Sequence, residues 1–196
     1  MATRFGAADW LGSLQRYQQA IADGRLIAYR NRRWRQSQKF AGWLDEQNIP
    51  SLTAERAQAI YRASGGRKSN AFRAIPIEEI RDSLDFLLFD TLGLEKRFDE
   101  SASNEGAYNL AGSGKEFVSY ILCARDPGLF AFWTPHGERA LRRLGIYPKD
   151  LNKGNLGLGY MDLLEVMNVV RGRTGLSDFR AVDEFTYSVT QKYTGG

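Results

Sequence analysis

Apolar residues along the chain recur at spacings of three and four, and strict alternation is rare, which predicts helices rather than strands. A first helix is expected over Ala7–Ala22, stopping near Asp23-Gly24. A second, long one is expected over Arg25–Gln47, ending ahead of Pro50. Thr53 has the side chain to cap a helix through Ala63, which Gly65-Gly66 would end. The stretch Gly65–Asn70 then reads as an exposed basic loop. Pro76 suits the first turn of a helix over Ile77–Leu92, and Leu94–Glu100 extends it after a break at Gly93.

The second half opens on a polar loop, Ser101–Ala107. Helices are expected over Lys115–Ala124, from Thr134-Pro135 to Gly145, over Tyr160–Arg171 and over Asp178–Gln191. A Gly- and Asn-rich loop fills Lys149–Gly159, and Thr194–Gly196 should fray. The reading is an all-α helical bundle. Residues 1–100 form a basic amino-terminal subdomain and 101–196 a hairpin-bearing one, packed as one unit or as part of a longer protein.

Composition narrows this. With 43% hydrophobic residues in a chain of 196, a core can form without staples. A single cysteine, Cys123, allows no intrachain disulfide and suits a reducing, cytoplasmic setting. No cationic-then-apolar leader opens the chain, and apolar runs such as Phe86–Phe89 are too short to span a bilayer, so no membrane partner is expected. The net charge of +4 is uninformative, but its distribution is not. Residues 1–75 carry 13 Lys and Arg against 5 Asp and Glu, a net of +8; the remainder nets −4. A basic half beside a mildly acidic one suggests an anionic partner.

Two features carry candidate chemistry. On a continuous helix from Arg25 to Gln47, the residues Arg25, Arg32, Arg35 and Lys39 fall within about 80° of arc, with Ile27, Trp34 and Ala41 on the opposite, core-facing side. That stripe reads as a rail for a phosphate backbone. It reads equally as a solvated helix face, although no acid interrupts it between Arg25 and Gly42. The second feature is the turn Leu110-Ala111-Gly112-Ser113-Gly114-Lys115, followed by an apolar helix. A Gly-x-Gly turn at a helix start exposes amide N–H groups at the positive end of the helix dipole. The turn lacks the spacing and hydroxyl of a P-loop and the strand of a dinucleotide fingerprint, and an ordinary interhelical turn remains open.

This turn, its apolar helix, a Pro-containing loop and then Trp133-Thr134-Pro135-His136, opening a helix that closes on Arg142-Arg143-Leu144-Gly145, resembles the helix-hairpin-helix segment of the endonuclease III type of DNA glycosylase. The resemblance is close over positions 110 to 145 and looser over the helices after Tyr160. It implies that fold and a grip on the DNA backbone. It withholds the glycosylase chemistry, because Glu116 stands at the lysine position and Trp133 or Thr134 at the aspartate position. A glutamate cannot supply the attacking amine. Degenerate hairpin modules of this kind are also similar to amino-terminal recognition domains of McrB-like modification-dependent restriction NTPases and phage-defence proteins.

The expected function is non-catalytic binding of double-stranded DNA, modified or damaged, in a restriction or defence system. The contacts would be the backbone of Ala111, Gly112, Ser113, Gly114 and Lys115, helped by His136, Arg142, Arg143 and the stripe of Arg25, Arg32, Arg35 and Lys39. An NTPase or nuclease effector is a further expected partner; no metal or cofactor is expected. Trp10, Trp34, Trp43 and Trp133 read mostly as core at helical spacing; were one of them to stack on a base, Trp133 beside the hairpin is the natural choice. Three rivals stand beside this: a glycosylase with a displaced acid such as Asp183, a protein-interaction adaptor, and an RNA binder. For Asp183 itself, apolar flanks favour a structural hydrogen bond.

Overall fold

The computed structural model describes residues 9–191; the expected helix start at Ala7 and the Thr194–Gly196 end lie outside them. The described residues are helical, with no strand among them. The elements are α1 (Trp10–Ala22), α2 (Ile27–Arg33), α3 (Ser37–Trp43), a 3-10 turn (Ile49–Ser51), α4 (Ala54–Ser64) and α5 (Ser69–Arg73). They continue as α6 (Ile77–Phe89), α7 (Leu94–Ala102), α8 (Lys115–Arg125), α9 (Pro135–Arg143), α10 (Leu156–Thr174) and α11 (Phe179–Thr190).

Local signals account for several boundaries. Thr53 Oγ1 accepts from the Arg56 amide and Thr134 Oγ1 from the Gly137 amide, starting α4 and α9. Gly65, Gly145 and Gly175 follow α4, α9 and α10 in the left-handed conformation that a side chain resists.

Several expectations fail, two of them for a tertiary reason. The long helix from Arg25 is two helices, α2 and α3, broken at Trp34–Gln36. Trp34 there turns into the core, stacks on Tyr120 at 5.0 Å and donates its indole N–H to Asp183. Its anchoring outweighs the few tenths of a kcal/mol per residue that helix propensity offers. Ile27, expected in the core, is 57% exposed. The expected loop before Tyr160 is partly helix, because α10 starts at Leu156 with Asn155 as its cap. Gly157 permits this. A Cβ there would lie 1.6 Å from the Glu95 carbonyl oxygen, so the first turn of α10 presses on α7 only without a side chain.

One contiguous core runs through both halves, from Tyr17 to Phe185. α1 packs on α11, α3 and α4 on α8, and α7 on α10. No helix among the described residues is long and apolar enough to cross a membrane. Cys123 is wholly buried on α8. Burial, reinforced by the negative charge of Asp183, pushes its thiol well above the usual range. A thiol reagent at neutral pH is therefore expected to leave the folded protein unmodified and to label Cys123 only after denaturation. Stoichiometric labelling without denaturant would contradict this burial.

Candidate nucleic-acid interface

The hairpin is built from Leu110 outward. Leu110 is buried, and its carbonyl accepts the Ser113 amide at 2.9 Å, closing the turn. Gly112 takes φ +80°, and Gly114 precedes α8, whose first turn no side chain caps. The turn does not stand alone. Tyr61, at the end of α4, donates its hydroxyl to the Gly112 carbonyl at 2.7 Å and accepts the Lys68 amide at 3.1 Å. Its ring stacks on Phe72 of α5 at 4.1 Å. One phenol thus locks the Gly65–Lys68 loop to the Gly-x-Gly hairpin.

Between the two loops lies an open cleft of about 410 Å3, bordered by Arg67, Lys68, Gly112, Ser113, Gly114 and Lys115. Arg67 and Lys68 are exposed, and neither forms an ion pair among the described residues. Lys115 is differently placed: its Nζ lies 2.7 Å from Glu138 Oε1 and 4.2 Å from the centre of the Trp133 ring. Glu116 is the one acid on the border of the cleft. No family model, no curated protein and no solved structure matches this chain.

Glu138 gathers the cations around the start of α9. It accepts from Lys115, from the Trp133 indole at 2.7 Å and from Arg142 at 3.3 Å. Burial alone would push its carboxyl up; the hydrogen bonds of Lys115 and Trp133 and the charge of Lys115 outweigh that and hold it below the usual value. Much of the Lys115 and Arg142 charge is therefore answered inside the protein. Arg142 also covers the Tyr147 ring at 3.9 Å, and Arg143 donates to the Val189 carbonyl. Ala111 stays exposed at the tip of the turn.

His136, assigned to the interface by sequence, is inside, and so is Trp133. Trp133, expected in the core with base stacking as the alternative, is 1% exposed and packs near Phe98 and Tyr160. His136 is buried against the stacked rings of Tyr29 and Tyr187, perpendicular to both. Its Nε2 lies 2.8 Å from Asp183 Oδ1 and 3.1 Å from the Tyr29 hydroxyl. Asp183 Oδ2 accepts from Tyr29 at 2.8 Å and from Trp34 at 2.9 Å. The Asp183 side chain is 1% exposed, so it works as a buried acceptor joining α2, α9 and α11. Beside it Glu184 accepts from Nε and Nη2 of Arg30, at 2.8 and 2.6 Å.

The break at Trp34 scatters the basic stripe. Arg25 sits before α2 with Asp23 at 2.8 Å, Arg35 borders a separate cleft with Arg30 and Arg180, and Lys39 lies over Trp43 at 5.0 Å. Arg67 and Lys68 were legible as a basic loop, but nothing in the sequence joined that loop to the hairpin.

Proposed function

We propose that this chain binds double-stranded DNA through its phosphate backbone, with the hairpin segment acting as a helix-hairpin-helix module without catalysis. The observation that carries this reading is the meeting of two glycine loops at one phenol, Tyr61. Residues 51 positions apart place two exposed cations and the uncapped start of α8 around one open cleft. Amide N–H groups at a helix start, approached past glycines, suit a phosphate oxygen, and Arg67 and Lys68 supply charge. Such contacts position a duplex without reading its sequence. A restriction or defence context, and an NTPase or nuclease partner, are consistent with a module that only grips. The glycosylase rival loses ground because the Asp183 carboxylate is taken up by three internal partners.

Fluorescence anisotropy with a labelled duplex across a salt series tests the proposal, with single-stranded DNA and duplex RNA as parallel probes. Affinity for duplex DNA should fall steeply with salt. The double variant Arg67→Ala, Lys68→Ala should lower the log–log slope by about two, close to one for each phosphate that is no longer neutralised. An affinity independent of salt, or a double variant that binds like the wild type, would sink the proposal; a preference for RNA would favour that rival.

A further inference from the structure

A second, smaller cleft of about 200 Å3 lies between the last turns of α2 and α4. Arg32, Arg33 and Arg62 converge on it with Asn31 and Gln36, and no acid borders it. Arginines at helix carboxyl ends ordinarily bond the last carbonyls and offset the dipole. Arg33 does so: its Nη1 donates to the Ala63 carbonyl at 2.9 Å, and its guanidinium lies so near Gly65 that a Cβ there would clash with it. Arg32 and Arg62 do not. Both are exposed, and neither has a hydrogen bond or an ion pair to the described residues; Arg32 lies 5.7 Å over the Tyr29 ring. Their charges are held outward with no internal acid to answer them.

This cleft adjoins the two-loop cleft directly. Ala63 borders the one and Ser64 to Lys68 the other, so the end of α4 is a ridge between them. We infer that the second cleft takes a further phosphate of the same duplex, so that the DNA track crosses the end of α4 and engages Arg32 and Arg62 as well as Arg67 and Lys68. This rests on the reading of the two-loop cleft given above. A guanidinium presents a planar fork of donors that matches phosphate oxygens, and a neighbouring pair with no acid nearby favours an anion over a peptide of mixed charge. The part-buried Arg33 beneath the ridge adds a fixed positive charge between the two.

The test compares wild type, Arg32→Ala/Arg62→Ala and Arg67→Ala/Lys68→Ala on one labelled duplex over a salt series, with circular dichroism confirming the fold. Arg62→Glu, at a side chain with no hydrogen bond or ion pair to the described residues, is expected to fold and decides the outcome if the double variant does not. The Arg32/Arg62 double variant should lose about tenfold or more in affinity at low salt, with a slope lower by about two. Arg62→Glu should weaken unrelated duplex sequences equally. Wild-type affinity and slope in Arg62→Glu or the Arg32/Arg62 variant, beside a weakened Arg67/Lys68 variant, would overturn this inference and leave the two-loop reading standing. A wild-type protein that does not bind duplex DNA would remove that reading, and this one with it.

Discussion

Asp183→Ala is expected to destabilise the protein by about 2–5 kcal/mol, the cost of a buried cavity together with hydrogen-bond donors that lose their acceptor. The carboxylate offers only acceptors, and Tyr29, Trp34 and His136 all direct hydrogen-bonding atoms at it. Alanine removes both oxygens, so the Trp34 indole N–H is left without its acceptor and the Tyr29 hydroxyl keeps at most the His136 ring nitrogen. Buried polar groups left unmatched in this way cost about 1–3 kcal/mol each. Domains of this size are held by about 5–15 kcal/mol in total, so the variant should melt far below the wild type. Urea denaturation followed by circular dichroism measures it. A change of less than about 1 kcal/mol would show that the network is not what ties α2 to α9 and α11.

Gly112→Val is expected to abolish duplex binding while most of the helical signal survives. At φ +80° a branched side chain is strained wherever it points. Its Cβ would also lie 2.9 Å from Lys68 Cβ and 3.4 Å from both the Lys68 carbonyl oxygen and the Tyr61 hydroxyl. These atoms belong to the facing loop and to the phenol that ties it to the hairpin, so the substitution pushes the two loops apart where the cleft is formed. Ser113→Ala is the control, because the Ser113 hydroxyl has no hydrogen-bond partner among the described residues; its binding should stay within about twofold of the wild type. Anisotropy on the same duplex reads both variants. A folded Gly112→Val protein that binds normally would reduce the hairpin to a turn and leave Arg67 and Lys68, with the arginines of α2 and α4, as the contact.

Much of the helical architecture was legible in the sequence alone. The starts of α4 and α9 follow from Thr53 and Thr134, and their ends from Gly65 and Gly145, because a cap acts over three or four residues and a window of sequence contains it whole. The charge asymmetry and the Gly-x-Gly turn are likewise properties of short stretches. Only the tertiary structure decided the rest. Trp34 breaks the basic helix because its indole meets an acceptor 149 residues away. His136 leaves the surface because Asp183 waits for it inside. The candidate site has two walls because the Tyr61 hydroxyl reaches a carbonyl 51 residues further on. Local preferences of a few tenths of a kcal/mol yield to such contacts, since burying a polar group without its partner costs more than bending a helix.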